Sequence, residues 1–136
     1  MSNVFIGDSV TDCDRTSFPP YGHGWVNEIA KSGQISNIKN VGISGHRLVD
    51  LEKRWQSDVL DNQPERLTIN IGINDTWRRY DDNDPTSVED FAARYDRLIA
   101  STLNQYEIDL VLCEPFLLHV RQEMATWRED LDPKIS

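Results

Sequence analysis

Short apolar runs alternate along the chain with segments in which apolar residues recur at helical spacing. Four runs have the length of strands, at residues 3–6, 38–42, 67–71 and 108–113. This alternation is typical of a parallel sheet with helices on both faces, and uninterrupted apolar runs indicate strands that are covered on both sides. Because no linker or repeat divides the chain, we predict a single α/β domain over residues 1–136.

Three segments between these runs predict helices. The first begins near Trp25 and stops at Gly33, a residue that adopts the left-handed conformation cheaply. The second has an apolar stripe from Leu48 to Val59, and the third opens at Ser87 with a pattern that resembles a capping box. The apolar face of the third is formed by Val88, Phe91, Ala92, Tyr95, Leu98, Ile99 and Thr102. Residues 122–128 and the segment from 132 onward predict two further helical stretches.

Charge and cysteine content narrow the class of protein. The chain has 14 Lys and Arg against 23 Asp and Glu, a net charge of -9 that disfavours nucleic acid and anionic membrane as partners. No apolar stretch is long enough for a membrane span, and no leader-like segment opens the chain. Cys13 and Cys113 lack metal or redox spacing, so we predict reduced thiols in a cytoplasmic protein.

Three residues that suit ester chemistry each follow a predicted strand directly. Ser9 offers a hydroxyl nucleophile, Gly45 an amide that a substrate oxygen can approach, and Asn74 a side-chain amide donor. In an open parallel sheet, the loops that leave the carboxyl ends of the strands meet at one edge. Taken singly, the three residues could equally be ordinary turn residues.

The motifs around these residues resemble the first three sequence blocks of the SGNH, or GDSL-type, hydrolases. The blocks are Gly-Asp-Ser at 7–9, Asn-Val-Gly-Ile-Ser-Gly at 40–45 and Gly-Ile-Asn-Asp at 72–75, in the family's order. Residues 71–80 are similar to the branch that contains intracellular bacterial acetylxylan esterases. The resemblance implies a flavodoxin-like three-layer sandwich with strand order 2-1-3-4-5. It also implies Ser9 as nucleophile, an oxyanion hole made by the Ser9 amide, the Gly45 amide and the Asn74 side chain, and no cofactor or metal.

The general base of that family has no counterpart in this sequence. The family carries it in a C-terminal Asp-x-x-His block, whereas no Asp lies three positions before His23, His46 or His119. We therefore expect a C-terminally truncated domain that lacks the fifth strand and the acid-base loop. Such a chain would leave the backbone of the fourth strand unpaired, expose apolar surface on the last helices and favour lower stability or a homo-oligomer. His46 or His119 in place of the missing base is an open alternative.

Further residues are candidates for substrate contact. Trp77 follows the third block and Tyr21 lies before the first helix, and both offer flat faces for a sugar ring. We place Asp8 with them; it could also cap the helix that follows or steady the nucleophile. Asp75 is expected to hold its own loop through backbone hydrogen bonds.

These features leave more than one function open. The leading prediction is hydrolysis of a small or oligosaccharide ester, with removal of acetyl or another short acyl group through an acyl-Ser9 intermediate. The alternative is a non-catalytic remnant that binds an acylated sugar or a partner protein. A flavodoxin-like nucleotide-binding module is disfavoured, because the chain has no phosphate-cradling glycine loop.

Overall fold

The computed structural model describes residues 2–76, 87–114 and 134. Its elements, in chain order, are β1 (Ser2–Gly7), α1 (Ser9–Asp12), α2 (Trp25–Ser32), β2 (Ile38–Asn40), α3 (Leu48–Asp58), a 3-10 turn (Leu60–Asn62), β3 (Pro64–Asn70), α4 (Val88–Gln105) and β4 (Asp109–Cys113). Residues 73–76 are also helical. The predicted helices at 122–128 and from 132 onward lie outside the described residues.

The strands form a parallel sheet in the order β2-β1-β3-β4, which confirms the predicted α/β fold and the order of its first four strands. Within the described residues the sheet has four strands. Because β1 lies between β2 and β3, the loop that leaves β1 is flanked on both sides. Phe5 pairs with Asn40 and Gly7 with Asn70, so the carboxyl ends of all three strands reach the same edge.

Side chains of β1 alternate between two hydrophobic clusters, one on each face of the sheet. Val4 and Ile6 point into the larger cluster, which includes buried residues of α3 and α4. Phe5 points to the other face and packs with Val26 of α2. Helices therefore cover both faces, and the domain has the predicted three layers.

The larger cluster contains a buried hydrogen bond that joins its two helices. Trp55 Nε1 of α3 donates to Thr102 Oγ1 of α4 at 2.9 Å, and that hydroxyl donates to the Leu98 carbonyl at 2.8 Å. The bond gives the buried indole N–H an acceptor inside an apolar layer, and it fixes the position of α3 relative to α4.

The helix ends follow the sequence signals. Gly33 closes α2 with φ of 73°, and Ser87 Oγ accepts the Asp90 amide at the start of α4. The first turn of α4 differs from the predicted stripe, because Val88 and Ala92 are exposed. No helix among the described residues is both long enough and apolar enough to cross a bilayer.

The fourth strand corrects the expectation that every strand is covered on both sides. Val111 is 42% exposed and Leu112 is 51% exposed, although their side chains point to opposite faces of β4. This strand lies at the edge of the described sheet, where neighbouring elements cover less of it.

Candidate active site

The chain turns sharply between β1 and α1, and residues 7–9 form what we call the nucleophile loop. Gly7 lies so close to β3 that an added Cβ would be 2.2 Å from the Asn70 carbonyl oxygen. Asp8 is the N-cap of α1 and its Oδ1 accepts the Val10 amide at 3.0 Å. Ser9 is exposed at the first position of α1, whereas Asp8 is 1% exposed. The loop thus buries its carboxyl group and presents the Ser9 hydroxyl to solvent.

Burial of Asp8 shifts its titration. Loss of hydration, together with a smaller effect of the nearby Asp75 charge, raises the pKa of this carboxyl to about 6 against the opposing effect of the Val10 amide. Asp8 Oδ2 is buried and has no hydrogen-bond partner among the residues that the structure describes. The predicted capping role of Asp8 is confirmed, and its contact with substrate stays a prediction.

The second motif forms a loop, residues 41–47, that we call the oxyanion loop. Gly45 has φ of 84°, a left-handed conformation that favours glycine and sets the direction of its amide. Asp12 Oδ2 accepts the Ser44 amide at 3.0 Å and the Ser44 hydroxyl at 2.9 Å. The Ile43 amide donates to the Gly7 carbonyl at 3.0 Å, which joins this loop to the nucleophile loop.

The other end of the oxyanion loop meets the third motif. Asn74 is 8% exposed, and its Nδ2 donates to the His46 carbonyl at 3.1 Å. An amide nitrogen carries two hydrogens, so this bond orients the side chain and leaves the second hydrogen for a ligand. Asp75 Oδ2 accepts the Leu48 amide at 3.2 Å, 27 positions away, and so holds the start of α3. This contact adds a tie to α3, and the predicted role of Asp75 in holding its own loop stays a prediction.

Arg54 of α3 reaches both loops with one guanidinium group. Its Nη1 donates to the Val41 carbonyl at 2.5 Å, its Nη2 to the Gly7 carbonyl at 3.2 Å and its Nε to His46 Nδ1 at 3.1 Å. Nη1 also pairs with Asp58 at 2.8 Å, and the side chain is only 12% exposed. The fixed fork of the guanidinium suits several acceptors in different directions.

The contact with Arg54 bears on whether His46 can act as a general base. His46 Nδ1 accepts a hydrogen bond from Arg54, so the neutral ring carries its proton on Nε2. The Nδ1 lone pair, the one that could accept a proton, is occupied by this bond. Burial lowers the pKa of His46, and the charge of Arg54 lowers it further. His23 is exposed and lies 4.0 Å from Asp14, whereas His119 lies outside the described residues. This geometry disfavours His46 as the base for Ser9.

The aromatic candidates have different positions. The Tyr21 ring packs against the cluster around Phe5, and its carbonyl accepts Asn40 Nδ2 at 2.9 Å. Trp25 Nε1 donates to the Val10 carbonyl at 2.8 Å, so this indole is hydrogen-bonded to α1. Trp77 lies outside the described residues. A role for Tyr21 or Trp77 in substrate binding stays a prediction.

Three polar residues that hold the site were not assigned roles from the sequence. Asp12 and Arg54 hold the oxyanion loop as described, and Asn40 Nδ2 donates to the Thr11 carbonyl at 2.8 Å while its Oδ1 accepts the Gly42 amide at 3.0 Å. Asn40 gave the one available signal, because an amide at the end of an apolar strand needs partners when it is buried. Asp12 and Arg54 resemble ordinary helix-surface charges in the sequence.

The described residues offer no cluster of three or more His, Cys, Asp or Glu side chains that could hold a metal ion. Three of the polar groups at this edge of the sheet can donate hydrogen bonds to a ligand. The Ser9 hydroxyl, the Gly45 amide and the second hydrogen of Asn74 Nδ2 lie on loops that are bonded to one another. Such an arrangement suits a nucleophile beside donors for a developing oxyanion.

Comparisons with known proteins agree with this geometry. An acetylxylan esterase from Geobacillus stearothermophilus is 41% identical over 90 residues, which cover 57% of this chain and 41% of the esterase. The solved structure of Axe2, an acetylxylan esterase from the same organism, superposes with a TM-score of 0.81 at 28% identity, covering 98% of this chain and 69% of Axe2. A protein from Parabacteroides merdae described as a GDSL-like lipase gives a TM-score of 0.88 at 32% identity, with coverage of 98% and 69%.

The match to the family itself extends over nearly the whole sequence. The sequence model of the GDSL-like Lipase/Acylhydrolase family matches residues 5–135, a range that contains all three motifs. The chain belongs to the GDSL-like lipase/acylhydrolase family.

Proposed function

We propose that this chain is a serine carboxylic-ester hydrolase that removes acetyl, or another short acyl group, from a carbohydrate. The observation that carries the proposal is the bonding of the oxyanion loop to both other motifs. The Ile43 amide donates to the Gly7 carbonyl at 3.0 Å, and Asn74 Nδ2 donates to the His46 carbonyl at 3.1 Å. Ser9, Gly45 and Asn74 are thereby held on one edge of the sheet.

The chemistry follows from the groups at that edge. The Ser9 oxygen attacks the acyl carbon, its proton passes to a base, and the sugar hydroxyl leaves with a proton. The Ser9 and Gly45 amides and Asn74 Nδ2 stabilise the negative charge that develops on the acyl oxygen. Water then hydrolyses the acyl-serine. None of these steps needs a metal or an organic cofactor.

The acetylated carbohydrate is supported by the relatives. The esterase that matches by sequence is an acetylxylan esterase, and a variant of Axe2 is described as an acetyl-xylooligosaccharide esterase. We propose the same class of substrate, with Tyr21 and Trp77 as walls for the sugar ring and Asp8 behind the nucleophile. A cytoplasmic location and a homo-oligomer remain predictions from the sequence.

A second candidate is binding of an acylated sugar without turnover. It is favoured by one specific observation: His46, a histidine next to the oxyanion glycine, has its Nδ1 lone pair committed to Arg54. The sequence contains no Asp-x-x-His block. Without a base, a serine hydroxyl is a weak nucleophile near neutral pH.

Release of acetate from an acetylated xylooligosaccharide, together with hydrolysis of an aryl acetate, tests the first candidate. The variants are Ser9→Ala and, as a matched control, Ser57→Ala, which removes an exposed hydroxyl of α3 that bonds the Arg54 carbonyl. We expect turnover in the wild type and in Ser57→Ala and its loss in Ser9→Ala. Saturable sugar binding with no turnover above Ser9→Ala would support the second candidate. Absence of both binding and turnover would refute both.

A further inference from the structure

Arg54 makes a set of contacts that an ordinary helix-surface arginine does not need. A surface Arg paired with Asp58 one turn later would contribute a few tenths of a kcal/mol, about 0.3–0.5, with its head group in solvent. Here the pair is kept at 2.8 Å but the Arg54 side chain is 12% exposed. Burial of a charge is costly unless its donors are satisfied, so the other contacts of the guanidinium need an explanation.

The acceptors of Arg54 belong to the loops that carry the proposed chemistry. Gly7 begins the nucleophile loop, Val41 begins the oxyanion loop and His46 follows Gly45 directly. The guanidinium uses Nε, both hydrogens of Nη1 and one hydrogen of Nη2 for Gly7, Val41, His46 and Asp58. Four of its five donors are thereby engaged in a fixed planar geometry.

The contact with His46 extends this effect to the third motif. Arg54 holds the His46 ring by Nδ1, and the carbonyl of the same residue accepts Asn74 Nδ2 at 3.1 Å. A shift of the His46 backbone would therefore move the Gly45 amide on one side and release the Asn74 side chain on the other. One guanidinium links all three motifs.

Other side chains also bond to the oxyanion loop, and their contacts differ from those of Arg54. Asp12 holds Ser44, and Arg15 Nε donates to the Gly42 carbonyl at 2.7 Å. Asp12 is the last residue of α1 and Arg15 lies in the turn that follows, so these two residues tie the oxyanion loop only to the part of the chain just after the nucleophile loop. Arg54 approaches from α3 and bonds to both ends of the loop.

We propose that Arg54 is a positioning residue that holds the oxyanion loop and the nucleophile loop in the geometry needed for attack by Ser9. The inference builds on the proposed function, since it assumes that Ser9 is the nucleophile and that Gly45 and Asn74 are oxyanion donors. Arg54 acts through these groups and does not itself contact the acyl group. Misplacement of reacting groups by about 1 Å can reduce a rate by about 100-fold.

The variants separate the effect of the several hydrogen bonds of the Arg54 guanidinium from the effect of its charge. Arg54→Lys keeps the charge and a partner for Asp58, but one ammonium group cannot reach acceptors in four directions. Asp58→Asn keeps an oxygen for Nη1 and removes only the ion pair. Arg97→Lys is the matched control, because Arg97 pairs with Glu52 at 3.0 Å on the surface and is 59% exposed.

Two readouts are measured on each variant. The first is the rate at which a fluorophosphonate probe labels Ser9, followed by intact mass with Ser9→Ala as blank. The second is hydrogen exchange in residues 40–47, compared with the core strand residues 66–70. We expect Arg54→Lys to label about 10- to 100-fold more slowly and to exchange faster in 40–47 only. Asp58→Asn and Arg97→Lys should label within about twofold of the wild type, consistent with the small energies of such pairs.

Three results would overturn the inference. Arg54→Lys could label as fast as the wild type, or lose protection equally in 66–70, which would indicate a purely structural role. Asp58→Asn could slow labelling as much as Arg54→Lys does, which would assign the effect to the ion pair. If the wild type is not labelled at Ser9 at all, the proposed function fails, and the role of Arg54 in attack by Ser9 fails with it. Exchange then reports separately whether Arg54 holds residues 40–47, and unchanged exchange there in Arg54→Lys would refute that hold as well.

Discussion

Replacement of Asp8 by Asn should change how the stability of the protein depends on pH. The carboxyl is 1% exposed, and burial raises its pKa from 3.8 to about 6. Since the folded state holds the proton on Asp8 more tightly than the unfolded state, the contribution of Asp8 to the free energy of unfolding falls as pH rises between about 4 and about 6. At about 1.4 kcal/mol per pH unit, ionisation of Asp8 costs the folded protein about 3 kcal/mol above this window.

Asp8→Asn removes this dependence while it keeps an oxygen that can accept the Val10 amide. The new amide hydrogens would lie where Asp8 Oδ2 has no hydrogen-bond partner, which costs about 1–3 kcal/mol. That cost is the same at every pH. The difference in stability between variant and wild type should therefore move by about 3 kcal/mol in favour of Asp8→Asn between pH 4 and pH 7.

Urea unfolding at pH 4, 5, 6 and 7, followed by the fluorescence of the tryptophans, measures this difference. Asp96→Asn is the control, because Asp96 is exposed on α4. We expect the Asp96→Asn curve to run parallel to the wild type and the Asp8→Asn curve to diverge from it between pH 4 and pH 6. Parallel curves for wild type and Asp8→Asn would refute the assignment of a penalty to the buried carboxyl.

Two further substitutions test the packing behind the site. Gly7→Ala places a Cβ 2.2 Å from the Asn70 carbonyl oxygen, so we expect a loss of about 1–3 kcal/mol in urea unfolding together with loss of Ser9 labelling. Gly33→Ala is its control: its Cβ meets nothing within 4 Å and should cost only the strain of a left-handed φ, about 1 kcal/mol, with labelling unchanged. Thr102→Val leaves the Trp55 indole N–H buried without its acceptor, for which we expect a loss of about 1–3 kcal/mol of unfolding free energy; a change below about 0.5 kcal/mol would contradict that role for the bond.

The strands and long helices could be predicted from the sequence because their signals are local. A buried apolar run and a stripe at helical spacing each report the environment of neighbouring residues. The four residues of α1, Ser9–Asp12, are too few to show a period, so only the possible cap at Asp8 indicated this helix. The exposure of Val88 was also missed, because an apolar stripe on a helix does not show how far along the helix the neighbouring elements extend.

The same distinction between local signals and contacts made only by the fold applies to the candidate site. Ser9, Gly45 and Asn74 could be named because each lies in a short motif directly after a strand. Arg54 could not, because its partners Gly7 and Val41 lie 47 and 13 positions away and only the fold brings them together. In the sequence, Arg54 and Asp58 have the spacing of an exposed helical pair.

The contacts described here also separate two halves of the proposed reaction. The proposed oxyanion donors and the side chains described as holding their loops lie within residues 7–75, and the bonds described among them do not involve a general base. In serine hydrolases, donors and binding groups alone retain about 10³- to 10⁴-fold catalysis over water when a triad member is removed. Arg54→Lys should therefore weaken any transition-state stabilisation that this chain shows, whether or not Ser9 is activated. Loss of the base alone would instead leave binding of an acylated sugar intact, so measurements of binding and of turnover on the same variants report on different halves of the site.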